Sequence, residues 1–387
     1  MKLGIISDCI HYKTPDGKIG TENHILLRQL QSLCAYFSAT LICCPFETYD
    51  PSKVISVYTD KSIEFTTVPV VGGDNVYAKL RLVFTLPNWW KGYKKIDHFS
   101  DLVYMRFPNN LNVPAFFYFK FKRKKTFATY TGTWSTYANE PFTYRLQRWL
   151  LRKYFTGPVW VYSNNLLKSN RILPGISPSY GLAEWEEETL QVQKRIERLS
   201  GEGLPLLKLM TVGKLIDYKN QTGIVKSCGL LKERGVAFFL TIVGDGPMRK
   251  ELMDLIDKNN LSGHIKLVGK KNYAELRELY SQHDFVVQAP FSEGFGKVPV
   301  EGFFHGVVPV INDISMARFM TGNEERGFLF DASDEKNLAE TLIKIKDNIH
   351  LLPAMISNGR KFATSQTLEY WAENYYKTVT NYFEKAE

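Results

Sequence analysis

The sequence predicts an α/β protein made of two Rossmann-like, doubly wound parallel-sheet domains, and three observations carry the prediction. At 387 residues the chain is too long for one ordinary core and fits two domains of under ~200 residues each. Short apolar runs alternate with helix-like stretches in both halves, which is the pattern of parallel strands joined by crossover helices. Between the halves the texture changes to proline, glycine and charge: Pro174-Gly175-Ile176-Ser177-Pro178, then Glu184 to Glu188, Gln191 to Arg198 and Gly201-Glu202-Gly203. Such a stretch marks a linker carrying a short exposed helix.

In chain order, the first half offers a strand at Leu3–Ser7, a helix from about Glu22 to Phe37, and strands at Ala39–Cys44, Leu102–Arg106, Thr126–Thr131 and Val159–Ser163. The second half repeats the plan with apolar runs at Leu207–Val212, Phe238–Val243, Ile265–Val268, Phe285–Val287, Val307–Ile311 and Gly327–Phe330. Leu368 to Lys385 reads as an aromatic helix suited to packing back across the domains. The expected organisation is therefore a domain over 1–180, a linker over 181–204, a second domain over 205–365 and a terminal helix over 366–387 that crosses back to the first domain.

Composition narrows the function classes. No apolar run reaches the roughly 20 residues that span a bilayer, and Met1-Lys2 leads directly into the first strand without a signal pattern. The expected location is the cytoplasm. Five cysteines without a C-x-x-C pair indicate neither a disulfide framework nor a zinc site. The net charge of +9 divides into +12 for residues 1–180 and −3 for the rest. Its densest part, Phe116 to Lys125, runs aromatics into cations; it fits either an ordinary amphipathic helix or contact with an anionic membrane surface. No nucleic-acid recognition motif accompanies the charge, so nucleic acid is not an expected partner.

Ligands of open parallel sheets bind beyond the carboxyl ends of the strands. Three loops of the second half fit that place. Gly213-Lys214-Leu215-Ile216-Asp217-Tyr218-Lys219-Asn220 follows one strand, with two lysines five apart, and Gly244-Asp245-Gly246-Pro247 follows the next. Ser292-Glu293-Gly294-Phe295-Gly296-Lys297 follows the strand at 285–287 and leads into a helix that carries Pro299 in its first turn and Glu301 one turn in. Free N–H groups at a helix start favour an anion. A carboxylate leaning back toward that start suits paired hydroxyls such as those of a ribose.

These motifs, in this order and spacing, resemble the donor-binding half of the retaining family 4 glycosyltransferases of GT-B fold, over roughly residues 205–335. The first half is similar more loosely, through Gly20-Thr21-Glu22, where the family has a glycine loop near the donor phosphates. The resemblance implies two Rossmann-like domains facing a cleft, with an acceptor-binding first domain. It implies that Lys214 and Lys219 bind the diphosphate of a UDP- or GDP-linked sugar, that Glu301 binds its ribose, and that Glu293 with the Gly294-Phe295-Gly296 backbone holds the transferred hexose-type sugar, with Lys297 among the donor-binding residues. Gly20, Gly213 and Gly244 would approach the donor through their backbones. Glu293, Lys219 and Lys214 are the candidate catalytic residues, and the motifs require neither a metal nor another cofactor. With that activity, the basic, aromatic-rich first domain suits a glycan or polyprenyl-diphosphate-linked acceptor at the inner membrane surface, as in bacterial surface polysaccharide synthesis.

Two departures stand out. The first cation of the phosphate pair, most often arginine in the family, is Lys214, a point charge without the planar fork. Tyr130-Thr131-Gly132-Thr133-Trp134 stands where many members have histidine followed by glycine, leaving Thr131, Gly132 and Trp134 as acceptor-side candidates. Two other readings use the same residues: a GT-B sugar-nucleotide epimerase, and a non-catalytic sugar-nucleotide or glycan-binding partner of another transferase. The chain lacks G-x-G-x-x-G after its first strand and lacks G-x-x-x-x-G-K-[ST], which speaks against a dinucleotide oxidoreductase and a P-loop phosphoryl transferase.

Overall fold

The computed structural model describes residues 1–70, 76–137, 140–163, 169–201 and 204–385, with side chains throughout except at 76–84. Glu202 and Gly203 of the expected linker, and the last two residues of the chain, lie outside the described residues. The chain forms two units, Met1–Ser179 with Leu368–Glu387, and Tyr180–Thr367.

The first unit runs β1 (Lys2–Ile6), β2 (His11–Lys13), β3 (Ile19–Thr21), α1 (His24–Cys34), β4 (Ala39–Glu47), β5 (Ser56–Val57), β6 (Ile63–Val68) and α2 (Val76–Phe99). It continues with β7 (Leu102–Phe107), α3 (Asn112–Phe121), β8 (Lys125–Thr133), α4 (Phe142–Lys153), β9 (Val159–Tyr162) and β10 (Ile172–Pro174). The parallel sheet has the order β10-β9-β8-β7-β1-β4-β6. The chain moves from β1 to β4 and β6 on one side, then returns to β7 on the other. The direction therefore reverses between β1 and β7. Alternate residues of β1 feed opposite faces: Leu3 and Ile5 pack with α1, Ile6 with α2 and α3.

All the strands expected in this half are present. The small ribbon β2–β3–β5 was not expected, because segments of two or three residues carry no readable alternation. Nor was α2, a 24-residue helix with Pro87 inside it.

The second unit starts with α5 (Leu182–Glu187) and α6 (Thr189–Gly201), then β11 (Leu207–Val212), α7 (Gln221–Glu233), β12 (Phe238–Val243), α8 (Arg249–Lys258) and β13 (Ile265–Gly269). After α9 (Tyr273–Gln282) come β14 (Phe285–Gln288), α10 (Lys297–Phe304), β15 (Val308–Asn312), α11 (Ala317–Thr321), β16 (Phe328–Phe330), α12 (Asn337–Asp347) and α13 (Leu352–Thr364). Its six strands are all parallel in the order β13-β12-β11-β14-β15-β16, with the reversal between β11 and β14. The expected linker is corrected here. Residues 182–201 are two helices of this unit, and Val192, Arg195 and Leu199 of α6 are buried in it. Charge at these positions implied exposure, but the Arg195 guanidinium is spent on buried carbonyls.

The terminal helix α14 (Leu368–Glu384) returns to the first unit and packs on α1. Tyr375 stacks on Trp160 with centroids 3.8 Å apart, and its hydroxyl meets Thr129 Oγ1 at 3.0 Å. Trp371 is buried beside Tyr375, 4.5 Å between rings. Trp371→Ala should destabilise the first unit by about 3–5 kcal/mol, read as a lower urea midpoint; a shift equivalent to under ~1 kcal/mol would show that α14 is not part of that core.

Candidate functional site

The carboxyl ends of β11, β12 and β13 meet in a backbone junction that leaves no room for a side chain at Gly244 or Gly246. Gly213 N–H donates to Val243 O at 3.0 Å, and Gly244 N–H donates to Gly269 O at 2.9 Å. Gly244 has φ +141° and its Cβ position is filled by the Gly213 carbonyl. Leu215 N–H donates to Asp245 O at 3.0 Å, and Met248 N–H donates to Leu215 O at 3.1 Å. The two loops thus hold each other through main-chain bonds. Around them Gly213, Lys214, Gly244, Gly246, Lys270 and Lys271 line an open concavity of about 760 Å³.

The loop after β14 is fastened to the loop after β11 across the reversal point. Phe291 N–H donates to Tyr218 O at 2.8 Å, and the Gln288 amide donates to Val212 O at 3.2 Å. Asn312 donates to Pro290 O at 2.8 Å, fixing the bend from the β15 side. The two fastened loops bring the Lys219 ammonium onto the Glu293 carboxylate as an ion pair, with side chains 19% and 28% exposed. Lys219 ends a short 3-10 turn, Asp217–Lys219, and Asn220 then takes φ +53° and caps α7 by accepting from Gly223 N–H at 3.1 Å. An ammonium has three donors, so Lys219 can hold Glu293 and still present N–H groups to an anion.

Gly296, at φ +75°, is the N-cap of α10, a conformation that favours glycine. Pro299 falls in the first turn, where its missing N–H costs little. Ser315 donates to Gly294 O at 3.0 Å. The other end of α10 is held by two arginines: Arg360 donates to Phe304 O and Arg195 to His305 O, both at 2.6 Å, satisfying carbonyls that a helix end leaves free. Glu301, 7% exposed, accepts from the Tyr280 hydroxyl at 3.2 Å. Tyr280 is itself stacked on His305 at 4.8 Å, and His305 contacts Tyr180 and Glu188. Burial alone would raise the Glu188 carboxyl, but its contacts with His305 and Arg277 outweigh it and hold it at about 2. The His305 ring is thus held within this buried cluster.

Gly213, Lys214, Lys219, Gly244, Glu293, Gly294, Phe295, Gly296, Lys297 and Glu301 all lie in the second unit, on loops or a helix start at the carboxyl edge of its sheet. The Phe295 side chain is buried, so in this loop it serves packing. Lys270 and Lys271 were missed by sequence reasoning. The signal was available, since Gly269-Lys270-Lys271 follows a strand as directly as the three loops that were read. Among the described residues, no group of three or more His, Cys, Asp or Glu could hold a metal ion.

Gly20, Thr131, Gly132 and Trp134 lie in the first unit. Gly20 sits inside β3, where the Ser56 carbonyl of β5 fills its Cβ position, so pairing of the ribbon alone demands glycine. Thr131 donates its hydroxyl to Phe107 O at 3.0 Å. Trp134, an acceptor-side candidate from the sequence, has its side chain buried: it packs in the core against Tyr130, 5.4 Å between rings, under the Arg152 guanidinium. Arg148 ties the segment down through Thr133 O at 3.2 Å and the buried Glu140 carboxylate. Gly132 remains partly open. A further group, Asp8, follows β1 at the first unit's own reversal point; its side chain reaches solvent, yet partial desolvation by the surrounding protein raises its pKa, offset in part by a backbone bond and by Arg106. Arg106 donates to Gln29 at 3.0 Å.

Residues 195–362 match the family of glycosyl transferases group 1, entirely within the second unit. An uncharacterized glycosyltransferase of Methanocaldococcus jannaschii is 28% identical over 130 residues, 34% of this chain and 37% of that protein. The amylovoran biosynthesis glycosyltransferase of Erwinia amylovora is 23% identical over 165 residues, 41% of this chain and 40% of that protein. A Campylobacter jejuni N-acetylgalactosaminyltransferase acting on a diphospho-undecaprenol-linked sugar is 28% identical over 135 residues, covering 35% and 36%. The chain thus spans about two-fifths or less of these relatives' lengths. Among solved structures, the Anabaena protein HepE in complex with UDP and glucose superposes with a TM-score of 0.70 over 98% of this chain and 99% of that one, at 15% identity. The fold is GT-B.

The glycine junction makes a direct prediction. Gly244→Ala should cost about 1–3 kcal/mol or more by overpacking, whereas Gly263→Ala, with nothing within 4 Å of its Cβ position, should change stability by less than ~0.5 kcal/mol. Equal thermal shifts for the two variants would contradict the interlocked loops.

Proposed function

We propose that the protein is a retaining glycosyltransferase that moves a hexose-type sugar from a UDP- or GDP-linked donor to a glycan or lipid-linked acceptor in bacterial surface polysaccharide synthesis. The observation that carries the reading is the Lys219–Glu293 pair at the β11/β14 reversal point, beside the glycine junction and within the segment matching group 1 transferases. In this reading Lys214 and Lys219 hold the diphosphate and Glu301 takes the ribose hydroxyls. Glu293 and the backbone from Gly294 to Lys297 hold the sugar. In the first unit, Asp8 and the Thr131–Gly132 backbone are the groups proposed for the acceptor. The relatives named above support the acceptor class, and the family resemblance supports retention.

The chemistry follows from where charge develops. The bond from sugar C1 to the diphosphate oxygen breaks, and its electron pair leaves with the nucleoside diphosphate. Fixed cations at that position stabilise the transition state more than the bound ground state. The acceptor oxygen then bonds to C1 on the same face, and its proton passes to the departing phosphate. A separate protein base is not needed. Lysine N–H groups and the positive end of the α10 dipole are sufficient electrostatic partners for the leaving group.

Lys219→Ala and Glu293→Ala, each shown folded, should lower transfer by about 10²–10³-fold; undiminished transfer by either would overturn the assignment. Tyr280→Phe should raise the donor KM by roughly two- to tenfold, the range of one lost hydrogen bond, with kcat little changed. In a panel of nucleotide sugars, the true donor at ~100 times its Kd should stabilise the protein by about 2.7 kcal/mol, and NMR of the product should find the donor's anomeric configuration. Stabilisation by none of them, or an inverted product, would contradict the proposal.

A further inference from the structure

The first unit carries an aromatic and cationic face that its fold does not use. Helix α3 closes on Phe119-Lys120-Phe121 and leads through Lys122-Arg123-Lys124 into Lys125 of β8, and the stretch 112–125 contains five cations and no carboxylate. Phe116 and Phe119 point into the core, whereas Phe117 and Phe121, one turn apart, are 55% and 88% exposed. Arg123 takes φ +54° at the turn after the helix, in a position that ordinarily favours glycine. The chain folds back there, with Lys124 N–H donating to Phe119 O at 2.9 Å. Among the described residues, the side chains of Lys122 and Arg123 make no hydrogen bond or ion pair. The nearby carboxylate Asp97 is engaged by Lys124 at 3.5 Å.

The neighbouring helices extend this face. On one side Trp90 of α2, 44% exposed, meets the Tyr118 ring edge-on at 4.7 Å. On the other, Lys120 donates to Tyr154 O at 2.7 Å, and Tyr154 contacts the half-exposed Trp149 of α4 at 4.9 Å between rings. Aromatic side chains from α2, α3 and the end of α4 therefore flank the cations at the end of α3. Among the described residues, no helix is long and apolar enough to cross a membrane.

We propose that this face, centred on the end of α3, is a docking surface for an anionic lipid bilayer. Two features of the surface select that partner. Exposed Trp and Phe side chains suit the headgroup level of a bilayer, where an amphipathic ring has both an apolar and a wet side. The cations beside them match an anionic leaflet, and lysine stems reach the headgroups while lying along apolar surface. Aromatics without cations would select no lipid charge; cations without aromatics would bind polyanions in general. The surface acts independently of the donor site, so the proposal does not rest on the transferase reading.

The test is vesicle flotation with the full chain, using phosphatidylcholine vesicles and vesicles of equal parts phosphatidylcholine and phosphatidylglycerol. Binding should occur only to the anionic vesicles and fall steeply with salt. Lys122→Ala with Arg123→Ala should lower the partition constant roughly thirtyfold, about fivefold for each cation removed. Phe117→Ser with Phe121→Ser should abolish binding, and all four substitutions should leave thermal unfolding unchanged. Three results would overturn the proposal: no binding, equal binding to both vesicles, or anionic binding that survives both pairs of substitutions. Self-association that disappears with the phenylalanine pair, without vesicle binding, would instead assign the face to a second copy of this chain.

Discussion

The second unit depends on one close approach, the Gly244 backbone lying against the Gly213 carbonyl. A parallel sheet brings the carboxyl ends of β11, β12 and β13 to one edge, and each strand must turn there into its helix. Because the turns bond to one another through main chain, the edge offers a smooth floor with cations around it. Lys214, Lys270 and Lys271 border that floor. A side chain at Gly244 would force the loops apart and move every one of these groups.

The second constraint is the placing of Glu301. Its helix is only eight residues long, too short to hold a position on its own. It is pinned at both ends, by Gly296 and the loop at its start and by Arg195 and Arg360 at its finish. Arg195 comes from α6 and Arg360 from α13, so segments distant in sequence set the orientation of one carboxylate. Tyr280 then bonds that carboxylate from α9. Burying two guanidiniums is costly unless their donors are satisfied, and each makes short bonds to carbonyls that would otherwise be free.

Much of the second unit was legible in the sequence because parallel strands buried on both faces read as uninterrupted apolar runs. Phe238–Val243 and Leu207–Val212 are strands with the bounds their sequence suggested. The loops were legible because glycine and proline at strand ends have few other uses. What failed did so for physical reasons. The charge in 191–198 suggested a linker, because sequence does not say whether an arginine meets water or buried carbonyls. Trp134 looked available from its place after Gly132, yet packing against Tyr130 and under the Arg152 guanidinium from α4 buries it. Asp8 and Lys270 were passed over, although each stands directly after a strand. The ribbon containing Gly20 is made by pairing with β5, a contact that local pattern does not reveal.

The two units therefore differ in how far their groups define a ligand. The second supplies a glycine floor, paired lysine and glutamate, and an anchored carboxylate; the first supplies a basic aromatic face and a tightly held segment around Gly132. The most direct test of the central claim is a crystal structure with UDP or GDP bound, whichever stabilises the protein. The diphosphate is expected against Lys214 and Lys219, with the ribose hydroxyls within hydrogen-bond distance of Glu301. A nucleotide bound away from the β11/β14 reversal point, or with its ribose remote from Glu301, would contradict it.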